Sequence, residues 1–459
     1  MLYYLLNPTK EIVMNFIYIH THDSGREMEP YGAGAHNPSL MKLAEESIMF
    51  RNAHCVAPTC SPSRAAMLTG MTAHNSGMYG LAHRGFSLND YSQHLAQYLG
   101  RNGFYTALIG VQHEAKDPNV IGYMETHANH VKKGKPAIVS DRVSLDLALS
   151  FLDRKPYEDK PFFLSFGLRS THRKFMETDD SRDGFVRLPY AIMDTAENRH
   201  DYCEYLKTLD VTDFCVGKLL EKIDEVGLRD DTVIMFTTDH GIAFPQMKGT
   251  LYDGGTGVAL MFRIPFKKPF VSDALVSHVD VFPTVCDILG LERPEWLQGR
   301  SMLPIINKES DEINEYIFTE STYHATYEPS RAIRTKNMKL IRFFEEDTKI
   351  RWPNIDASPC KTTFYSSPLS HMARPKELMF DLVADPAERV NLIGLPEYQD
   401  AYNKLSSLLT KHMEATDDPL LNGPLELRDP WTMNKIDALD PDDAVYNCRG
   451  EIVKQAKKK

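Results

Sequence analysis

Short apolar segments alternate with longer amphipathic segments along the first two thirds of the chain. Continuous apolar runs at 16–20, 105–109, 161–166 and 232–237 are typical of buried parallel strands, and another run covers 258–264. Helical spacing of apolar residues marks 40–47, 91–102, 145–153 and 201–226, and Gly227 predicts where the last helix ends. This alternation predicts an α/β fold with a mostly parallel sheet covered by helices.

The pattern changes after about residue 310. Segments 316–319, 331–333 and 338–343 predict short strands with few helices between them, and 396–415 predicts a helix. We expect a main α/β domain over 14–309 that carries the chemistry, and a smaller C-terminal α+β subdomain with a short antiparallel sheet and a tail over 310–459. Because Met14 opens the first strand pattern, residues 1–13 are expected to be a leader or a misassigned start.

Composition narrows the class of protein. The 459 residues are 42% hydrophobic and 25% charged, as in ordinary soluble globular proteins. A net charge of −11 argues against a nucleic-acid partner, and no apolar run approaches the length of a membrane span. Seven scattered cysteines do not make a complete disulfide framework, and the N-terminus lacks a convincing signal peptide. We expect a cytoplasmic location, with an extracytoplasmic one left open.

The most informative segment is the run CSPSRAAMLTG at 60–70, which opens on Cys60. Pro62 suits the first turn of a helix, where its missing N–H costs nothing. The N-terminus of that helix presents free N–H groups and a positive dipole end to an anion beside position 60. Arg64 stays charged at any relevant pH and can hold such an anion. The alternative is a buried thiol before an ordinary helix.

Two pairs of polar residues follow predicted strands: His22 with Asp23, and Asp239 with His240. Open α/β sheets bind ligands at the carboxyl ends of their strands, so these pairs can converge on one cation. The alternative is that each pair is a polar loop that caps a helix.

Three further candidates occupy similar positions. His113 follows the strand at 105–109, and His172 follows the strand at 161–166. Lys248 precedes the glycine-rich segment 253–257, where glycine permits close backbone approach. An isolated histidine or lysine is more often structural, but the position after a strand favours function.

Together these motifs resemble those of the type I sulfatases of the alkaline phosphatase superfamily. Segments 75–81, 236–245 and 378–386 are most similar to heparan N-sulfatase, and the likeness runs from about 15 to about 420. The resemblance implies that a maturation enzyme oxidises Cys60 to formylglycine, whose hydrate attacks a sulfate ester.

The resemblance also implies one divalent metal ion. Its ligands would be Asp23, Asp239 and His240, with position 60 completing the shell and His22 standing where most sulfatases have an acid. Four oxygen ligands suit calcium, the ion implied by the family. Two imidazoles favour manganese or zinc, so the identity of the metal stays open.

The resemblance assigns catalytic roles as well. Arg64 would help to activate the formylglycine hydroxyl, and Lys248 would hold the sulfate. His172 would protonate the leaving group, and His113 would take the proton that expels sulfate. Val111 stands where sulfatases carry a sulfate-binding lysine, and three cations are candidates to replace it: Arg84, Lys116 and Lys174.

The predicted function is therefore hydrolysis of a sulfate ester or sulfamate on a sulfated glucosamine-type sugar. His240 and Val111 also suit a formylglycine-dependent phosphonate monoester or phosphodiester hydrolase, which is the alternative enzyme. A third interpretation is an unconverted Cys60 in a scaffold that only binds sulfated sugars. The expected partners are the sugar and the maturation enzyme, without nucleic acid or membrane, and a homodimer is left open.

Overall fold

The computed structural model describes residues 14–128, 137–347 and 349–456. Its main sheet contains eight strands, which in chain order are β1 Asn15–Thr21, β2 Ile48–His54, β3 Tyr105–Gly110, β4 Glu125–Ala128, β5 Phe162–Gly167, β6 Thr232–Thr238, β7 Leu260–Arg263 and β8 Phe270–Ser277. The spatial order is β4-β3-β5-β1-β6-β7-β2-β8. Only β7 of these eight runs against the others. The predicted mostly parallel sheet is confirmed.

Helices cover both faces of this sheet. The helices of the described chain are α1 Pro38–Glu45, α2 Cys60–Thr69, α3 Ala73–Ser76, α4 Leu95–Arg101, α5 Ala137–Arg154, α6 Ala196–Glu225, α7 Asp253–Thr256, α8 Val281–Ile288, α9 Leu303–Ile306, α10 Pro359–Ser366 and α11 Gln399–Ala415. In β1, Ile17 and Ile19 pack toward α1, α5 and α6, while Phe16 and Tyr18 pack toward α2, α4 and α8. Since successive side chains of a strand point to opposite faces, a continuous apolar run is required here.

The C-terminal part forms smaller antiparallel sheets. Strands β9 Tyr316–Tyr323, β10 Tyr327–Thr335, β11 Met338–Phe343 and β12 Glu377–Asp381 make a four-stranded sheet in the order β12-β11-β10-β9. Leu405, Leu409 and Met413 of α11 pack on one of its faces. A three-stranded sheet of β13 Thr432–Asn434, β14 Val445–Asn447 and β15 Ile452–Lys454 follows. The predicted α+β character of this part is confirmed, while the domain boundary at 309/310 stays a prediction.

Several predicted elements differ from the structure. The predicted helix 91–102 is a short turn at Tyr91–Gln93 followed by α4, because His94 interrupts it and caps α4 through Nδ1, 3.1 Å from the N–H of Ala96. Strands β2, β4, β8 and β12 and the last three strands were not predicted. The expected leader 1–13 lies outside the described residues. No described helix is long and apolar enough to cross a bilayer.

Candidate active site

The carboxyl edge of the main sheet gathers the candidate residues. Thr21 of β1 is in register with Thr238 of β6, so the residues that follow these strands emerge side by side. The N–H of Asp23, a residue with φ of 53°, donates to Oδ1 of Asp239 over 2.8 Å. Strands β5 and β3 continue the same edge, with Gly167 opposite both His20 and Gly110. Loops from four adjacent strands therefore meet at one place.

The five predicted metal ligands form one buried cluster, with one ligand atom from each lying within 4.8 Å of the others: His22, Asp23, Cys60, Asp239 and His240. Nδ1 of His22 lies 2.7 Å from Oδ1 of Asp23 and 3.3 Å from Oδ2 of Asp239. Sγ of Cys60 lies 4.0 Å from the same Nδ1. The structure thus brings together residues that are far apart in the chain.

The geometry of His240 fits a bound cation. Its Nδ1 lies 3.0 Å from the carbonyl oxygen of Gly241, which can only accept, so Nδ1 carries the proton. In neutral imidazole Nε2 then holds a lone pair, and this atom lies 3.3 Å from Oδ1 of Asp23 and 3.5 Å from Oδ2 of Asp239. Nε2 has no hydrogen-bond partner in the described structure. A cation placed between Nε2 of His240, Oδ1 of Asp23 and Oδ2 of Asp239 would accept an electron pair from each of them.

The charges around the cluster favour the protonation states that a metal site needs. Burial by itself would raise the pKa of Asp23, but Lys248 and nearby histidines hold that pKa well below its ordinary value. Burial opposes ionisation of Asp239 too, and His240 and Arg64 outweigh it, so its pKa is also lowered. Burial lowers the pKa of His22. Ionised carboxylates and a neutral imidazole are the protonation states that metal ligands require.

Cys60 is the first residue of α2 and is buried. Burial raises the pKa of its thiol well above the ordinary value, more than Lys248 lowers it. A protonated thiol is a poor nucleophile. Unmodified Cys60 is therefore unsuited to nucleophilic attack in this setting.

Arg64 contacts the candidate metal-binding cluster through Asp239. Its Nη2 donates to the carbonyl oxygen of Thr21 over 2.9 Å and to Oδ2 of Asp239 over 3.1 Å. Its Nη1 contacts Nδ1 of His20. This fully buried guanidinium compensates the charge of Asp239 and fixes its carboxylate.

Two more imidazoles surround His22. Its Nε2 lies 3.0 Å from Nδ1 of His113, and its ring centre lies 4.6 Å from that of His172. Nδ1 of His172 lies 2.6 Å from the carbonyl oxygen of Arg173, which fixes the proton on Nδ1 and leaves Nε2 for another partner. Burial lowers the pKa of His113, with Arg64 adding to the effect. Both predicted histidines therefore reach the site.

Lys248 is shared between two carboxylates. Its Nζ lies 2.8 Å from Oδ2 of Asp23 and 3.0 Å from Oδ2 of Asp356. Burial alone would lower the pKa of Lys248, but these acids raise it well above its ordinary value. Asp356 was not predicted, because no local motif marks it.

Of the three cations proposed to replace the lysine at Val111, Lys116 and Lys174 are exposed. Arg84 is buried, and its Nη2 donates to Oδ1 of Asn434 over 2.8 Å. Nε and Nη1 of Arg84 have no hydrogen-bond partner in the described part of the chain. The N–H of Ala82 donates to Oγ of Ser61 over 3.0 Å, which ties this turn to the first turn of α2.

Comparison with known proteins agrees with this geometry. The sulfatase family model matches residues 14–291, and a model of the C-terminal region of N-sulphoglucosamine sulphohydrolase matches 246–366. The chain belongs to the sulfatase family. It is an enzyme that hydrolyses sulfuric esters or sulfamates, and the family in general uses formylglycine and a metal ion.

Alignments with individual relatives cover most of the chain. Human N-sulphoglucosamine sulphohydrolase is 28% identical over 469 aligned positions, covering 89% of this chain and 92% of the relative. An ulvan-active sulfatase of Formosa agariphila is 26% identical, covering 84% of this chain and 76% of the relative. A solved structure in complex with its substrate D-glucosamine-2-N,6-O-disulfate superposes with a TM-score of 0.69 at 22% identity, covering 90% of this chain and 99% of that one. The predicted similarity to heparan N-sulfatase is confirmed.

Proposed function

We propose that this sulfatase removes sulfate from a sulfated glucosamine-type sugar, as a sulfate ester or a sulfamate, in the degradation of glycosaminoglycans. The observation that carries the proposal is a buried cluster that includes Cys60 and is surrounded by Lys248, which pairs with Asp23, and by two further imidazoles, which lie against His22. The likeness to the human sulfohydrolase over 89% of the chain supports the glucosamine part.

The chemistry needs a nucleophile and a counter-charge that the unmodified chain lacks. Formylglycine made from Cys60 by a maturation enzyme would supply an oxygen nucleophile, and a divalent ion held by His22, Asp23, Asp239 and His240 would offset negative charge on the sulfate. Two imidazoles among the ligands, from His22 and His240, favour manganese or zinc over calcium.

The histidines would divide the proton transfers. Nε2 of His172, left as the second ring nitrogen while Nδ1 faces the carbonyl oxygen of Arg173, would carry the proton to the leaving oxygen or nitrogen. His113, whose pKa burial keeps low, would accept the proton of the formylglycine hydroxyl when sulfate leaves. Lys248 would contact the sulfate oxygens and shift part of its charge away from Asp23.

The alternative activity, hydrolysis of a phosphonate monoester or phosphodiester, has two residues in its favour. The Asp239–His240 pair and the absence of a lysine at Val111 both favour this activity, because a tetrahedral anion with one charge masked needs fewer cations. The family membership and the relatives support the sulfatase instead.

Two measurements test the proposal. Fragment-ion mass spectrometry of tryptic peptide 52–64 from protein of the native host is expected to find aldehyde at Cys60 and thiol at Cys55 in the same peptide. A panel of glucosamine N-sulfate, glucosamine 6-sulfate and a phenyl phosphonate monoester is then expected to yield sulfate from a sugar. An intact thiol at position 60 would favour the binding scaffold, and phosphonate turnover alone would favour the alternative enzyme. The cytoplasmic location and the homodimer stay predictions.

A further inference from the structure

Asp356 lies at the candidate active site although it comes from the C-terminal part of the chain. It follows the turn Trp352–Asn354 and precedes α10. Its side chain is 22% exposed, whereas the side chains of Asp23 and Asp239 are at most 1% exposed. Among the described acids around Lys248, Asp356 is therefore the one that a substrate can reach.

The loop that carries Asp356 is held firmly by Asn354. Oδ1 of Asn354 accepts from the N–H groups of Ala325 and Thr326 over 3.0 and 2.9 Å. The carbonyl oxygen of Asn354 accepts from Nδ1 of His324 over 3.1 Å. The loop is thus fastened to the β9–β10 turn, and a side chain on a fixed loop can select a substrate by geometry.

Asp356 offers only hydrogen-bond acceptors. Burial by itself would raise its pKa, but Lys248 outweighs that effect and the pKa lies below the ordinary value, so the group is a carboxylate. Oδ2 is buried and lies 3.0 Å from Nζ of Lys248, so Oδ1 is the oxygen left for a substrate. A carboxylate and a sulfate repel each other, since both are anions without a proton to donate. Asp356 must therefore face another part of the substrate.

We propose that Asp356 is a specificity-determining residue that accepts a hydrogen bond from a hydroxyl or amino group of the sugar, beside the sulfate that Lys248 holds. The inference rests on the proposed function and deepens it, because it requires a substrate with a donor next to the sulfated position. Aryl sulfates, which lack that donor, gain nothing from this carboxylate.

The test compares two substrates on the formylglycine-containing enzyme. Values of kcat/KM are measured for glucosamine N-sulfate, which carries donors, and for 4-nitrophenyl sulfate, which carries none. Asp356→Ala is expected to lower the value for the sugar at least about tenfold, while the value for the aryl sulfate stays or rises. Asp356→Asn, which keeps the side-chain volume and one acceptor, is expected to fall between Asp356→Ala and the wild type on the sugar.

Asp347→Ala is the matched control, because this acid lies near the same loop but pairs with Arg351, at 3.2 Å. It is expected to leave both values unchanged. Equal losses on both substrates in the Asp356 variants would overturn the inference, since Asp356 would then act through Lys248. Unchanged sugar turnover would overturn it as well. A wild-type enzyme that cleaves the aryl sulfate and no sulfated sugar would overturn the proposed function together with this inference.

Discussion

Nδ1 of His74 lies 2.9 Å from Oε2 of Glu320, and this buried ion pair joins helix α3 to strand β9. Nε2 of His74 lies 3.2 Å from the carbonyl oxygen of Thr416, so both ring nitrogens face acceptors and the imidazole is charged. Arg331 lies 3.5 Å from Glu320 and also pairs with Asp418. The network links α3, the four-stranded sheet and the segment after α11, and in it the charges of His74 and Arg331 face those of Glu320 and Asp418.

This pair predicts how stability depends on pH. Burial would lower the pKa of His74, but Glu320 outweighs it and raises the pKa above 6.5. The stabilisation from His74 is therefore complete below pH 6.5 and is lost as pH rises through the higher folded-state pKa. Glu320, whose pKa falls to about 2 because His74 and Arg331 outweigh burial, contributes above pH 4.5 and loses its contribution as pH falls toward 2. The free energy of unfolding, measured with denaturant from pH 3 to 9, checks both the loss at high pH and the loss at low pH.

Removing His74 leaves a buried carboxylate with less compensation. His74→Ala is expected to lower the free energy of unfolding by about 3 kcal/mol at pH 6. His36→Ala is the control, since His36 is 81% exposed and lies 3.7 Å from Glu29, and it should change stability by less than about 0.5 kcal/mol. Equal effects of the two substitutions would contradict the role given to the buried pair.

His113→Ala is predicted to separate the two half-reactions. Without a base for the second proton transfer, the first sulfate is cleaved from the sugar and then stays on the enzyme. Pre-steady-state kinetics should show one equivalent of desulfated sugar in a burst, followed by a steady state slowed about 10²–10⁴-fold. His371→Ala, at an exposed histidine, should leave the kinetics unchanged. Steady-state rates close to those of the wild type in His113→Ala would refute the assignment.

The mixed donor set predicts the response to metals. Dialysis against a chelator is expected to abolish turnover and to lower Tm, because the metal binds only the folded chain. Manganese or zinc should restore both properties at lower concentration than calcium. His240→Asn, which replaces a nitrogen ligand by an oxygen, should shift the preference toward calcium. Full recovery of the wild-type enzyme with calcium at the lowest concentration would contradict this prediction.

Arg84 is predicted to bind the sulfate in place of the lysine that sulfatases carry at the position of Val111. It is a buried cation on a turn bonded to the first turn of α2, and two of its guanidinium nitrogens have no hydrogen-bond partner among the described residues. Arg84→Met should lower kcat/KM on a sulfated sugar about 10- to 100-fold, since a hydrogen bond to a charged group is lost. Lys116→Met and Lys174→Met, at exposed positions, should have little effect. A larger loss in either lysine variant would transfer the role to that lysine.

Those parts of the site that directly follow strands could be predicted from the sequence. Parallel strands end at one edge, so the residues just after β1, β3, β5 and β6 could be expected to meet there, as His22, His113, His172 and Asp239 do. The apolar runs of these strands are continuous because both faces are covered.

Other features left no such signal. Strand β2 has an exposed Arg51 and a half-buried Asn52 in its middle, which interrupt its apolar pattern. Strand β8 lies at the edge of the sheet and starts with alternating exposed positions, so it does not look like a buried strand. Asp356 reaches Lys248 through a contact between distant segments, and only the folded chain places them together.

Because the Asp356 loop is fastened to the β9–β10 turn, substitutions in this loop and substitutions at the ends of β1 and β6 are expected to have different effects. The candidate metal-binding cluster depends on the register of β1 and β6, so a shift there would disturb the groups proposed to react. The loop around Asn354 is fastened to the β9–β10 turn and brings Asp356 to Lys248, so, with the role proposed for Asp356, substitutions in this loop would alter which sugar fits while the nucleophile keeps its place. A new substrate preference can therefore arise in the C-terminal part without rebuilding the catalytic centre.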